Sequence, residues 1–432
     1  MEILRYPERN EWSRLCKRAI AETATEVKNI VADIIANIRE RGDEALIEYE
    51  QRFTGAQLSS LRVTPQEIDE AESLVSDDLK KAISLAAQNI SAFHAAQKMN
   101  TITVETAPGV KCVQKAVAIS KVGLYIPGGN SPLFSTVLML AIPARIAGCE
   151  EITLCSPAGK DGKINPAILY AAKIAGVHRI YKTGGAQAIA AMAYGTETIS
   201  PVYKIFGPGN RFVMEAKQQV SQSAVAIDMP AGPSEVLVIA DDNARADFVA
   251  ADFLSQAEHG PDSQSILLTT SEALVDKLPQ EIERLLSILP RREMMEKSLN
   301  HSRIILLNSI DDVMDFSNFY APEHLIINHA DAVALCDKVK NAGSVFIGPY
   351  SSESAGDYAS GTNHTLPTSG YATAYSGVNL DSFCKKITFQ ELTPEGINSI
   401  GTAVEIMAEN EDLMAHKMAM TLRINSLKDD QL

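Results

Sequence analysis

The sequence predicts an α/β protein: two doubly wound, parallel-sheet domains with small helical segments at the N- and C-terminal ends. Three observations carry this. From about residue 112, short apolar runs alternate with helical ones. The runs VGLYIP, EITLCSP, HRIYKTG, KIFGPG and AVAID read as one series of strands; EVLVIAD, SQSILLTT, RIILLN, HLIINH and SVFIG read as a second. Strand and helix in alternation make βαβ units, and those make a mostly parallel sheet. At 432 residues there is chain for roughly three domains.

Residues 24 to 100 read as helical. Val27, Ile30, Val31, Ile34, Ile35 and Ile38 recur at three- and four-residue spacing, a single apolar stripe. Thr64, Pro65 and Glu67 read as a helix start: N-cap, proline at the first helical position, and a capping-box glutamate. FSTVLMLAIPARIAG, NPAILYAAKIAG, AQAIAAMAYG and RFVMEAKQQV read as helices between strands of the first series. Residues 348 to 380 are a long polar stretch of Ser, Gly, Thr and Tyr. Loops of that length in compact domains are usually functional or disordered. TPEGINSIGTAVEIMAENEDLMAHKMAMTLRINSL follows as a helical tail.

Composition excludes several classes. The net charge of −15 argues against nucleic acid, because a phosphate backbone demands a basic face. The first twenty residues hold no unbroken apolar core, so no secretory signal is expected. No run reaches the roughly 18 apolar residues of a membrane span. The cysteines, Cys16, Cys112, Cys149, Cys155, Cys336 and Cys384, are scattered without a C-x-x-C pair. That usage fits a reducing cytoplasm.

Four constellations could carry chemistry. In SQAEHGPDSQ, Gln256 and His259 are three residues apart at a helix end, with Gly260 and Pro261 as its stop. They can converge on one ligand, or they can be a capping histidine beside a solvated glutamine. In YAPEHLII, Glu323 and His324 precede and open a strand. A carboxylate beside an imidazole suits proton transfer, and an ordinary hydrogen-bonded pair is the plainer reading. Asp357 and His364 sit in the polar stretch and could reach a cation through a flexible loop, or merely line a loop tip. In AENEDLMAH, Glu411 and His416 are five residues apart, about 140° around a helix, which also describes a solvated face. The dinucleotide fingerprint G-x-G-x-x-G is missing: FGPGNRF has Gly207 and Gly209 but Phe212 in the third place. YIPGGN and TGGAQAIAA are glycine-rich turns that could approach a phosphate.

Together these segments are specific. VGLYIPGGNSPLFSTVLMLAIPARIAGC, TGGAQAIAAMAYGTETI, KIFGPGN, IDMPAGPSEVLVIAD, LSQAEHGPDSQ, YAPEHL, SAGDYASGTNHTLPT and AENEDLMAH stand in the order found in histidinol dehydrogenases. The chain resembles that family over about residues 20 to 425. The resemblance implies oxidation of L-histidinol to L-histidinal and then L-histidine, the last steps of histidine biosynthesis, with two NAD+ and one Zn2+ per subunit. It implies Gln256, His259, Asp357 and His416 as zinc ligands and Glu323 and His324 as the acid/base pair. Ser234, His364 and Glu411 look like substrate contacts, together with Gln256, His259, His324, Asp357 and His416. Tyr125, Gln187 and Asn210 match cofactor-contacting positions on an incomplete Rossmann-like domain. The implied domains are an N-terminal segment 1–25, a first α/β domain 26–124 plus 236–377 with the metal and catalytic residues, and an NAD domain 125–235. The implied tail, 378–432, reaches the partner's site in a homodimer. In one departure, Asp412 follows Glu411 where the family usually has glycine. Two other classes stay open: a zinc hydrolase, since a carboxylate base with His and Asp ligands also serves hydrolysis, and a non-catalytic small-molecule binder.

Overall fold

The computed structural model describes residues 1–18, 25–128 and 131–429. Residues 19–24, the last of them the first of the expected helical region, and Gly129 and Asn130 of the YIPGGN turn lie outside it. In chain order, strand β1 is Glu2–Arg5, β2 Ile102–Ala107, β3 Val110–Ala118 and β4 Lys121–Tyr125. Then come β5 Glu151–Ser156, β6 Arg179–Lys182, β7 Lys204–Phe206 and β8 Ala226–Ile227. The rest are β9 Glu235–Ala240, β10 Gln264–Thr269, β11 Arg303–Leu306, β12 His324–Asn328, β13 Ser344–Ile347 and β14 Cys384–Leu392.

Two parallel, doubly wound sheets are present, as the alternating runs require. One is ordered β6-β5-β4-β7-β8 and the other β1-β11-β10-β9-β12-β13. Numbered from its own first strand, each series runs 3-2-1-4-5, with β1 added at one edge of the second sheet. That is five-sixths of the dinucleotide-binding order. Strands β9, β10 and β12 are buried along their whole length, which is why they read as unbroken apolar runs rather than alternating ones.

The helical start Thr64–Pro65–Glu67 forms as expected, with the reciprocal capping box in place. Val27, Val31, Ile34, Ile35 and Ile38 form the buried stripe of helix Thr25–Thr54. Ile30 does not join it; it is exposed and lines a large cavity. That helix breaks at Gly42, whose φ of 52° lies in the left-handed region. The break turns the second half, with Tyr49, Glu50 and Phe53, toward the first sheet.

A third sheet departs from the expected helical tail and from the two-sheet reading. It is antiparallel, ordered β14-β3-β2. Its strands are mostly exposed, with Ile102, Val104, Ile387 and Phe389 bare of cover within the chain. Without a buried face they carry no clean inward period, and β14 pairs with a strand about 270 residues away in sequence. The chain divides into two compact units, residues 1–97 with 119–382 and residues 98–118 with 383–432. The second unit holds this sheet and the helices Pro394–Asn410 and Met414–Asp429.

Candidate active site

Strands β9 and β12 are neighbours in register, His324 opposite Val236. The chain reverses direction of winding between them, the usual place for a ligand in an open sheet. The usual rule puts the ligand at the carboxyl ends of the strands; here the candidate residues stand at the amino ends, because His324 opens β12 directly after Glu323, and Glu235 opens β9 directly after Ser234. In the other sheet the candidates keep to the rule. Tyr125 ends β4, and Gly184 and Gly207 follow β6 and β7.

Glu323 is buried, and its Oε2 accepts the backbone N–H of Glu235 at 2.9 Å. Burial pushes its pKa to about 8, with Glu235 and Asp357 adding and His324 and the Glu235 amide opposing. His324 is equally buried and stacks on Phe346, ring centroids 6.0 Å apart. Its Nδ1 lies 3.6 Å from Glu323 and 3.8 Å from Glu353, and its Nε2 lies 3.5 Å from Asp357. Burial alone would lower its pKa; the fields of Glu353, Glu323 and Asp357 outweigh it and raise the value to about 10. Neither ring nitrogen has a hydrogen-bond partner among the described residues. A buried imidazole left this way marks a place built for a reacting group.

Asp357 is not on a flexible loop. It belongs to the helix Glu353–Tyr358, capped by the Ser352 side chain. Six residues, three of them small, gave no apolar period for the sequence to show. One turn before Asp357 on the same face is Glu353, which sequence reasoning missed although the four-residue spacing of the two carboxylates was visible. His259, Glu353 and Asp357 offer ligand atoms within 4.8 Å of one another. The donors are an imidazole and two carboxylates, Glu353 Oε2 is buried without a partner, and the set fits a zinc-like cation. Gln256 is fully buried beside them. With its amide nitrogen turned to Glu353, its oxygen lies 2.7 Å from the Glu235 nitrogen and shares that N–H with Glu323. The His259 ring reaches the solvent-accessible surface, yet the protein packed around it lowers its pKa against the pull of Asp357, and His324, His364 and Arg291 lower it further.

His364 is fixed from both sides. Its Nδ1 is 2.8 Å from the Asp357 carbonyl oxygen and its Nε2 is 3.0 Å from the Thr136 hydroxyl. A carbonyl only accepts, so Nδ1 carries the proton and Nε2 accepts from Thr136. Glu411 and His416 lie in the second compact unit, and they do not share a helix. Glu411 caps Pro394–Asn410, Asp412 takes φ 58°, and His416 lies in Met414–Asp429. The left-handed turn at Asp412 is a conformation glycine adopts freely and aspartate tolerates better than most. Both Glu411 and His416 are exposed.

Two cavities meet at His259. The larger, about 1270 Å³, is lined by Tyr125, Gln187, Asn210, Phe212 and Tyr358. The other, about 960 Å³, is lined by Ser234, Glu323 and His364 and also reaches Asn210. The Tyr125 hydroxyl accepts Gly185 N–H at 3.1 Å, and the Asn210 oxygen caps the helix Arg211–Ser221. Gly207 has φ 130°, and a Cβ there would sit 2.1 Å from the Tyr125 carbonyl oxygen, so only glycine lets the two turns approach.

Fold and site together define an enzyme of the α/β class, with a buried carboxylate–imidazole pair and a cation-ready cluster where two cavities join. A family model described as histidinol dehydrogenase matches residues 17–424. The chain belongs to the histidinol dehydrogenase family and is an oxidoreductase. It is 58% identical over 428 residues to a histidinol dehydrogenase of Bacteroides fragilis, covering 99% of this chain and 100% of that one. It is 51% identical over 418 residues to the histidinol dehydrogenase of Escherichia coli, 96% and 95% covered. The crystal structure of histidinol dehydrogenase from Elizabethkingia anophelis superposes with a TM-score of 0.96, at 54% identity and 99% coverage of both chains. Among the described residues no helix is long and apolar enough to cross a membrane.

Proposed function

We propose that this protein oxidises L-histidinol through L-histidinal to L-histidine, the last steps of histidine biosynthesis, using two NAD+ and one Zn2+ per subunit. The observation that carries the reading is His324, buried without a hydrogen-bond partner and within 4 Å of three carboxylates. Gln256, His259 and Asp357 would hold the metal, with Glu353 beside them, and His416 would complete the set from the partner of a homodimer. When bound, Zn2+ would anchor the substrate's nitrogens and offset the carboxylate field that keeps His324 protonated. Ser234, His364 and Glu411 are assigned to the substrate. Tyr125, Gln187 and Asn210, within a cofactor domain of residues 125–235, are assigned to NAD+ in the larger cavity.

In the first oxidation His324 takes the hydroxyl proton while the carbinol carbon loses hydride to NAD+. In the second, Glu323 removes a proton from the water that adds to the aldehyde. The hydrate then loses hydride to a second NAD+, and His324 again takes a hydroxyl proton. Glu323 is placed for this because the Glu235 N–H fixes one of its oxygens. Positioned acid/base groups contribute about 10²–10⁴ in rate. Glu323→Gln is therefore expected to slow histidinal oxidation by about that factor and histidinol oxidation much less, measured in single-turnover reactions. Equal slowing of both would remove Glu323 from the hydration step.

A further inference from the structure

In an α/β fold the phosphates of a dinucleotide usually rest on a helix N-terminus after a glycine-rich turn. This chain has such a turn, Thr183–Gly184–Gly185, before the helix Gly185–Tyr194, and it opens on the larger cavity. The cradle is already filled. Glu50, with no exposed surface, reaches in from helix Thr25–Thr54. One of its oxygens accepts Gly184 N–H at 2.8 Å, the Gln187 amide at 3.0 Å and the Thr183 hydroxyl at 3.1 Å. The next amide, Gly185 N–H, is bound to the Tyr125 hydroxyl. A carboxyl group thus takes the donors that a phosphate would need, whatever its own charge, and when ionised it also repels one.

The anion has to be met elsewhere. Among the described residues lining this cavity, the lysines and arginines are Arg52 and Arg291 alone. Arg52 stands at the aromatic side, over Phe53, which stacks on Tyr49 at 5.5 Å and 10°. That side suits the adenine ring. Arg291 stands at the other side. It donates to the Ser131 hydroxyl at 2.7 Å, and its charge is felt at both His259 and Tyr358. It therefore lies toward His259, the end where the nicotinamide must meet the substrate. Its backbone is left-handed, φ 64°, at the N-cap of helix Arg292–Leu299. That conformation costs an arginine free energy and tends to occur where function requires it. A planar fork of donors suits two phosphate oxygens at once.

We propose that Arg291 holds the pyrophosphate of the bound dinucleotide, and that the N-terminus of helix Gly185–Tyr194, closed by Glu50, takes no part in phosphate binding. This rests on the reading that NAD+ occupies the larger cavity. The test uses the zinc-loaded full-length protein, wild type, Arg291→Met and Arg291→Lys, with KM and kcat for NAD+ and direct NAD+ titration by calorimetry. Losing a charged hydrogen-bonded contact should raise KM and weaken binding by about ten- to a hundredfold, with kcat changed little. Arg291→Lys should recover part of the affinity. The wild-type KM for NAD+ should rise with salt, and that rise should flatten in Arg291→Met. Unchanged NAD+ affinity in Arg291→Met, or a loss confined to kcat, overturns the assignment. If the wild type itself neither binds nor reduces NAD+ with L-histidinol present, the underlying reading fails instead.

Discussion

A glycine behind Glu323 and His324 shows how little room the candidate site leaves. Gly343 precedes β13, and its N–H donates to the Pro322 carbonyl. A Cβ at Gly343 would lie 2.5 Å from the Glu323 backbone oxygen. Gly343→Ala must therefore move the Glu323 peptide or β13. Overpacking of this kind costs about 1–3 kcal/mol, and the displaced carboxylate should lose at least about tenfold in kcat. Thermal unfolding together with steady-state kinetics reads both. A variant with native activity would show that Glu323 tolerates the shift. At this scale the sequence was legible where a residue type is rare or a spacing is short. Gln256–His259 and Glu323–His324 stood out for that reason. Glu235 was hidden because its hydrogen bond to Glu323 comes from a backbone N–H, which any residue but proline supplies.

Among the elements, strand runs were the easiest to read. Ten of them fell where the apolar segments placed them, and the central strands β9, β10 and β12 read most plainly because strands buried on both faces must be apolar throughout. The antiparallel sheet escaped because its apolar side chains are exposed in the chain. The short helix Glu353–Tyr358 escaped because its burial is local and its residues are small or polar. What no reading of periods could give is the insertion of Glu50 into the Thr183–Gly185 turn, a contact between residues 134 positions apart. That contact has a pH signature. Burial raises the Glu50 pKa, with the Gly184, Gln187 and Thr183 donors opposing. A carboxyl raised on folding contributes stability below its unfolded pKa of about 4.3. That contribution is lost as pH rises through the folded value. Glu50→Gln lacks this loss. The stability of the variant relative to wild type should therefore become more favourable as pH rises above the unfolded value. A difference independent of pH would mean that Glu50 keeps an ordinary pKa.

For the whole molecule, both sheets carry the same strand order, yet the candidate site residues stand at opposite ends of them. The carboxyl ends of one face the larger cavity; the amino ends of the other present Glu323, His324 and Ser234. Length and alternation predicted the two sheets, and nothing in them could say which end would be used. The homodimer is an inference from family resemblance, supported by exposed Ile406, Met407, Met414, Met418 and Leu422 on the two tail helices. If the tail serves the partner's site, Glu323→Gln and His416→Ala chains should complement one another. Unfolded and refolded together, they should regain roughly a quarter of wild-type activity, since half the dimers are mixed and each mixed dimer has one intact site. No recovery, with dimers re-formed, would place His416 in its own subunit's site or outside any site.

The most direct measurement is the yield of NADH for each L-histidinol consumed by the zinc-loaded protein, with the product identified at the end point. One pair of proton-transfer groups serving two successive oxidations in a single site predicts two NADH and L-histidine, with no aldehyde released. One NADH with histidinal left in solution, or consumption without any NADH, would contradict it.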